Sequence, residues 1–205
     1  MYIPEYFKNK DLEEVRDFLK QNSFGILITH KDNRSWGTHI PLELEKDPND
    51  KEVLYGHISK ANPQWQHFNQ SGEMLAIFNG PHSYVSSSWY NHENVPTWNY
   101  IAVHIYGKLE VLEEEELLFS IKKLVDKYEV NSANPVKVEE MSKNTLKQLK
   151  GIIGFKIYIK EIQAAYKLSQ NREEEDYHNI TKELDQTSNP LSHQTAKVMK
   201  QKRKL

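Results

Sequence analysis

Hydrophobic and polar residues alternate along several stretches of the chain, which is typical of β-strands with one buried face. Residues 101–111 show this most clearly, because apolar side chains recur at alternate positions with Gly107 in phase. They predict one long strand, in which the glycine marks a bulge or a bend. Residues 36–44 also alternate, whereas residues 24–29 are apolar without alternation, as in a strand buried on both faces. Together these two stretches predict a hairpin.

Four further stretches have the composition and spacing of strands: residues 53–59, 74–78, 84–89 and 155–168. In the last of them the phase of the alternation shifts after Ile159. A bulge or two successive strands would explain that shift.

Helical spacing of apolar residues marks most of the remaining chain. Residues 11–20 predict a short helix capped by Asp11. Residues 113–127 predict a longer helix, in which acidic residues lead and lysines follow, as the helix dipole favours. Asn62-Pro63 predicts a helix start, because Asn caps well and Pro suits the first helical position. Residues 140–149 are a weaker helical segment.

About six or seven strands, mostly joined by short turns, therefore accompany a few helices. This pattern predicts an α+β fold with an antiparallel sheet that closes as a barrel. A barrel is favoured over a sandwich because the strands are long and the turns are short. We expect residues 1–170 to form this domain and residues 171–205 to form a charged helical tail. The apolar side chains of the tail are few, chiefly Ile180, Leu184, Leu191 and Val198. We therefore expect the tail to pack weakly on the barrel.

Composition narrows the possible functions. The chain has 205 residues and a net charge of -2, so it has no global positive field to hold nucleic acid. The absence of cysteine excludes disulfides, thiol catalysis and cysteine-bound zinc. The N-terminus lacks the features of a signal peptide, and no segment approaches the roughly 20 apolar residues of a membrane helix. We expect a cytosolic protein with no membrane partner.

Aromatic rings and hydroxyl groups are concentrated between Gly80 and Tyr100. Hydroxyl and backbone N–H groups suit a phosphate, and flat rings suit a stacked heterocycle. This segment therefore indicates a site for a phosphorylated aromatic cofactor. The alternative is that its aromatic residues pack in the core and its serines line a loop. The residues of this group that we assign to the candidate site are Ser86, Ser88, Trp89, Trp98 and Asn99.

A second candidate group lies at a predicted strand end, just before a helix start. It combines an imidazole, a hydroxyl, an ammonium and an amide, from His57, Ser59, Lys60 and Asn62. Helix N-termini bind anions and Lys60 adds a full charge, so the group suits a phosphate. The alternative is that Ser59 and Asn62 only cap the helix.

Two other functions have weaker support in the sequence. Nine histidines are scattered without the helical pairing of zinc hydrolases, so we expect no metal site. There is also no nucleophile elbow for Ser-His-Asp hydrolysis. A short basic end could contact DNA phosphates, or it could simply be a solvated helix C-terminus. Its residues are Lys197, Lys200, Lys202, Arg203 and Lys204.

Six long sequence strings identify a family resemblance that covers nearly the whole chain. They are Met1-Tyr-Ile-Pro4, Gly56-His-Ile-Ser-Lys-Ala-Asn-Pro-Gln-Trp65, Phe78-Asn-Gly-Pro-His-Ser-Tyr-Val-Ser-Ser-Ser-Trp-Tyr90, Val95-Pro-Thr-Trp-Asn-Tyr100, Val103-His-Ile-Tyr-Gly107 and Lys167-Leu-Ser-Gln-Asn-Arg172. With these strings the chain resembles the PaiB-like family of FMN-binding negative transcriptional regulators. That family resembles the FMN-binding split β-barrel, a fold of homodimers with FMN at the subunit interface.

The resemblance implies a homodimer that binds FMN, or that descends from an FMN binder, and represses degradative-enzyme and sporulation genes in a bacillus-like bacterium. By order along the chain, the cleft would be lined by Ser86, Ser88, Trp89, Trp98 and Asn99. The phosphate would be faced by His57, Ser59, Lys60 and Asn62. Two residues depart from the family pattern: Lys60 stands where Arg is usual, and Ser87 where Pro is usual. The rival interpretations are a flavin oxidoreductase or a haem-handling protein of the same fold, and a cofactor-free interaction module. The resemblance assigns no catalytic residue.

Overall fold

Seven strands and five α-helices make up the computed structural model, which describes residues 1–68 and 72–203. The strands are β1 Phe24–Lys31, β2 Arg34–Pro41, β3 Glu43–Lys46, β4 Glu52–Ser59, β5 Met74–Val85, β6 Thr97–Val111 and β7 Ile152–Lys167. The α-helices are α1 Leu12–Gln21, α2 Glu114–Glu129, α3 Lys143–Leu146, α4 Glu174–Gln186 and α5 Pro190–Arg203. Short 3₁₀ turns lie at Glu5–Phe7, Pro63–His67, Ser87–Trp89, Val138–Glu140 and Lys147–Gly151. The predicted α+β class is confirmed.

All seven strands belong to one sheet, in the order β2-β1-β5-β6-β7-β4-β3. Strands β1 and β2 form the predicted antiparallel hairpin, and β4 pairs antiparallel with both β3 and β7. The two edge strands, β2 and β3, are consecutive in the chain and are separated by Leu42 alone. Since consecutive Cα atoms lie 3.8 Å apart, the adjoining ends of these edges lie within about 8 Å of each other. The sheet therefore curves round until its two edges approach.

Strand β5 differs from the two short strands that its sequence predicts. The sequence separates residues 74–78 from residues 84–89, yet the strand runs unbroken from Met74 to Val85. Gly80 is buried, and a Cβ there would lie 2.7 Å from the Phe18 ring. The glycine at this position therefore allows the Phe18 side chain to pack closely, and it does not mark a turn. Ser87–Trp89, the expected end of the second strand, is a 3₁₀ turn.

The phase shift after Ile159 falls inside β7, which is one unbroken strand of 16 residues. Residues 154–157 and 164–166 are buried on both faces, and Lys160 and Glu161 between them are exposed. The order of apolar and polar residues in one buried stretch is therefore independent of that in the other. Gly107 on β6 likewise allows a close approach, because a Cβ there would lie 2.2 Å from the carbonyl oxygen of Tyr158.

Contacts within the chain group it into two compact units. One comprises Leu19–Ile77 and Ile105–Ile162, and its fully buried side chains include Leu27, Leu54, Ile105, Phe155 and Ile157. The other comprises Met1–Phe18, Phe78–His104 and Gln163–Leu205, and its fully buried side chains include Val15, Phe78, Val103, Tyr177 and Ile180. No helix among residues 1–68 and 72–203 is long and apolar enough to cross a membrane.

The C-terminal tail packs closely on the strands, so the expectation of weak packing on the barrel is wrong. The Ser192 hydroxyl lies 2.7 Å from that of Ser83 on β5, and Met199 contacts Asn99 on β6. Ile180 and Leu184 are buried as their apolar character suggests, but Tyr177 and Met199 are fully buried too. The Tyr177 hydroxyl donates to the carbonyl oxygen of Met199 at 2.8 Å and thereby ties α4 to α5. Counting only aliphatic residues underestimates the buried surface of this tail. The boundary between residues 170 and 171 stays a prediction.

Candidate functional site

The β4 end carries the first part of the predicted phosphate group. His57 lies opposite Gly154 of β7 and is half-buried. Burial lowers the pKa of His57, because removing the imidazole from water disfavours its charged form. The ring is therefore a neutral hydrogen-bonding group near pH 7 and not a cation. Ser59 ends the strand with an exposed side chain.

Ser59 and Asn62 make local contacts in the turn that follows. The Ser59 hydroxyl accepts from the Ala61 N–H at 3.2 Å, and the Asn62 side-chain oxygen accepts from the Gln64 N–H at 3.0 Å. These are the contacts that the capping alternative expects. The expected helix is one 3₁₀ turn of five residues, so few peptide dipoles add up at its start. Lys60 is therefore the stronger candidate for holding an anion, and the roles of Ser59 and Asn62 towards a phosphate stay predictions.

Gln64 is a residue that sequence reasoning missed. It is fully buried, and its side-chain nitrogen lies 3.3 Å from the Leu27 carbonyl oxygen and 3.1 Å from Thr29 Oγ1. Its side-chain oxygen accepts from Thr38 Oγ1 at 2.6 Å. A buried amide costs free energy unless it is hydrogen-bonded, so these contacts fix the turn against the β1–β2 hairpin. They fix the backbone close to Lys60 as well.

Lys60 lines a cavity of about 450 Å³ with a second lysine that the sequence did not single out, Lys150. The Lys60 N–H donates to the Gly151 carbonyl oxygen at 2.8 Å, which holds the two chain segments side by side. The other lining residues are Glu114, Leu117, Leu118, Leu146, Leu149 and Ile152. Two ammonium groups and one carboxylate on an otherwise aliphatic surface favour a ligand that has both a negative charge and apolar atoms. Lys150 lies 90 residues further along the chain, so only the fold reveals this pair.

The serines of the aromatic segment form a compact local motif. Ser86 Oγ accepts from the Ser88 N–H at 3.2 Å and lies 2.9 Å from Ser88 Oγ. This motif begins the 3₁₀ turn that carries Trp89, whose side chain is half-buried. The hydroxyls are therefore partly engaged with one another, and their role towards a cofactor stays a prediction.

Trp98 on β6 is exposed within a regular strand, at 53% of its surface. Tyr84 and His82 on β5 lie beside it, with ring centroids 6.0 Å and 6.3 Å from the Trp98 ring. Both neighbours are exposed too. Burying a large ring is normally favourable, so an exposed cluster of three rings marks a surface suited to contact with another molecule.

Asn99, the next residue, points to the other side of the strand. It is fully buried, and its side-chain nitrogen and oxygen each lie 3.0 Å from the Ser169 hydroxyl. Its nitrogen also lies 3.5 Å from the Met199 sulfur. These contacts belong to the packing of β6 with the tail. Its expected place in a cofactor cleft stays a prediction.

The basic end of the chain is largely engaged in ion pairs. Lys200 pairs with Asp185, Lys202 pairs with Glu14, and Arg203 donates to Glu174 at 2.6 Å. Lys197 is exposed. Lys204 lies outside the described residues. Within residues 1–68 and 72–203, no three histidine, aspartate or glutamate side chains are grouped to hold a metal ion.

Comparison with known proteins places these features in a family. Residues 1–161 match the family described as "Putative FMN-binding domain". The chain belongs to this family. It is also 47% identical over 205 residues to the protease synthase and sporulation protein PAI 2 of Bacillus subtilis, covering 100% of this chain and 99% of the relative. The resemblance identified from the six sequence strings is confirmed.

Solved structures confirm the fold class. A FAD and heme binding protein from Mycobacterium smegmatis superposes with a TM-score of 0.62 at 15% identity, covering 78% of this chain and 73% of that one. The flavocytochrome Anf3 from Azotobacter vinelandii gives a TM-score of 0.58 at 17% identity, with 86% and 78% covered. The expected antiparallel split-barrel fold is confirmed.

Proposed function

We propose that this protein is a homodimeric FMN-binding negative regulator of transcription that acts on degradative-enzyme production and sporulation. Family membership over residues 1–161 supports the cofactor. The biological process rests on the printed name and 47% identity of the Bacillus subtilis relative. The observation that carries FMN binding is the pair Lys60 and Lys150 on one cavity of a chain in this family.

The cavity fits the charge of the FMN phosphate. A phosphate monoester carries about 1.5 to 2 negative charges at pH 7. Lys60 and Lys150 would hold it, while the aliphatic lining would contact carbon atoms of the same ligand. A lysine provides a point charge where the family pattern has an arginine fork, so the contact loses bidentate geometry and keeps its charge.

The exposed ring of Trp98 fits the flat isoalloxazine group. Stacking on an aromatic face is favourable, and Tyr84 beside it adds a second ring edge. When bound, FMN supplies hydride and electron transfer. No residue of this chain is assigned a step in such chemistry.

Comparing FMN with riboflavin tests the phosphate contact. Lys60→Ala and Lys150→Ala should each weaken FMN binding by about 1–3 kcal/mol, the cost of losing a charged hydrogen-bond partner. Riboflavin, which lacks the phosphate, should lose much less affinity. Lys46→Ala is the matched control, since this exposed lysine pairs with Asp50 on a separate turn. Equal losses for both ligands would exclude the two lysines as phosphate partners.

The oxidoreductase alternative is tested with the same purified protein. Reduction of the bound flavin by NADH or NADPH, followed as loss of its visible absorbance, would assign a catalytic activity. Flavin that binds but stays oxidised favours the regulatory function.

A further inference from the structure

A second cavity, of about 250 Å³, is lined by none of the residues assigned to the FMN site. We call it the tail cavity. The segment after the N-terminal 3₁₀ turn, the end of β7 and both tail helices line it, through Phe7, Lys8, Asn9, Tyr166, Leu168, Gln170, Tyr177, Lys202 and Arg203. Six of these nine residues lie beyond residue 161, where the match to the family ends. A cavity of about 150 Å³ can hold benzene, so this one has room for a ring and a polar group.

The walls of the tail cavity are aromatic and carry cations. Lys202 Nζ lies 5.2 Å from the centre of the Tyr166 ring, and the Arg203 guanidinium lies 4.0 Å from that of Tyr177. Arg203 also donates to the carbonyl oxygens of Gln170 and Arg172. It therefore holds the wall in place, with few donors left for a ligand.

Three cations line the tail cavity, and two of them are paired with carboxylates outside the lining. Glu14 pairs with Lys202, and Glu174 pairs with Arg203. The exposed Lys8 ammonium has no carboxylate within ion-pair distance in the part of the chain that the structure describes. Its neighbour Glu5 pairs with Lys10. The unpaired Lys8 ammonium favours a ligand that carries a negative charge.

Tyr166 supplies an unused hydrogen-bond donor. Its hydroxyl is buried and has no hydrogen-bond partner within residues 1–68 and 72–203. The Asn9 amide, which donates to Glu14 and accepts from the Asp11 N–H, lies near this hydroxyl and acts to lower the pKa of Tyr166. Burial and the Glu14 carboxylate raise the pKa of Tyr166, which keeps the phenol protonated as a donor. A buried hydroxyl without a partner is unfavourable, so a ligand that accepts from it gains affinity.

We propose that the tail cavity binds a small monocarboxylate with an apolar body, such as an aromatic or branched-chain acid. The carboxylate accepts from Tyr166 and faces Lys8, and the apolar body packs against Phe7, Leu168 and Tyr177. This site shares no lining residue with the cavity proposed for FMN, so the two proposals are tested independently. It gives the protein a second, metabolite-sized ligand.

The experiment titrates the full-length protein with benzoate and follows backbone amide signals by NMR. We expect saturable shifts at residues 7–9, 168–170 and 202–203. Benzamide, which has the same shape without the charge, should bind at least several-fold more weakly. Inorganic phosphate, with nearly two charges and no apolar body, should bind more weakly than benzoate as well.

Two substitutions test the named contacts. Tyr166→Phe keeps the ring and removes only the unpaired hydroxyl, so the free protein should fold with undiminished stability while benzoate affinity falls about tenfold. Lys8→Ala should lower affinity by a few-fold, and Lys10→Ala, two residues away and outside the lining, should leave it unchanged. The proposal is overturned if benzoate gives no saturable shifts, if benzamide binds equally well, or if Tyr166→Phe binds as tightly as the unaltered protein.

Discussion

His57 and His104 are half-buried histidines whose pKa is lowered by burial, and the N-terminal ammonium lowers that of His104 further. Both imidazoles are neutral in the folded protein near pH 7. In the unfolded chain, histidine titrates near its ordinary pKa of about 6.5. The unfolded state therefore binds more protons as the pH falls below that value, and folding stability falls with it.

We predict that the urea midpoint decreases between pH 7 and pH 5. The loss begins as the pH falls through the unfolded pKa and stops growing below the lowered folded pKa. Replacing His104 with Gln should reduce this slope. His178→Gln, an exposed position on α4, should leave the slope unchanged. A midpoint that does not vary between pH 7 and pH 5 would contradict the assignment.

Single residues differ in how far their roles can be predicted from the sequence. Lys60 stands out because charge and position before a turn are local properties. Lys150 does not, because only the Lys60–Gly151 backbone contact brings it to the same cavity. Asn99 looks the same in sequence whether it faces a cleft or Ser169, since both surroundings require a hydrogen-bonding amide.

At the scale of whole elements, periodicity predicts the long regular pieces best. Strand β6 and helices α1 and α2 are found within a few residues of their expected bounds. Strand β5 is mispredicted because glycine has two uses, to turn the chain and to allow close packing. Gly80 has the second use, and the Phe18 ring that requires it is more than 60 residues away in sequence.

The tail helix α5 leads to a prediction about truncation. Deleting residues 197–205 removes Met199, which is fully buried, and Arg203, which bonds to α4 and the preceding turn. We therefore expect the free energy of unfolding to fall by at least about 2–5 kcal/mol, the cost of emptying a core site. Lys197→Ala, at an exposed position, should change it by less than about 0.5 kcal/mol. Urea denaturation of both variants measures the difference, and equal stabilities would contradict it.

The same helix bears on contact with DNA. A tail that neutralised five phosphates would give a log–log salt slope of roughly -4 to -5. Lys200, Lys202 and Arg203 are already paired with carboxylates, so we expect any DNA binding by this protein to have a shallower slope. Mobility-shift titrations at several salt concentrations measure it. A log–log slope of roughly -4 to -5 that is lost when these three residues are substituted would instead assign DNA contact to the tail.

At the scale of the whole molecule, the proposed homodimer would bring the exposed rings of Tyr84 and Trp98, with the flavin, to its interface. We predict a two-fold dimer that buries more than about 2,000 Å², as obligate homodimers do. Light scattering at micromolar concentration should then give about twice the monomer mass of 24.1 kDa. Tyr84→Glu should shift the mass towards the monomer, because it places a charge in an apolar contact. Val136→Glu, on an exposed loop, is the matched control. A monomer mass for the unaltered protein would disprove the dimer.

The path of the chain through Leu42 has a consequence for aggregation. Edge strands expose unpaired backbone groups that recruit strands from other molecules. Here one residue joins the two edges, so β2 and β3 cannot move far apart while both stay folded. A longer connection would let the two edges separate and leave both open to pairing with strands of other molecules. The shortness of this connection therefore limits how far either edge can be exposed as the protein folds.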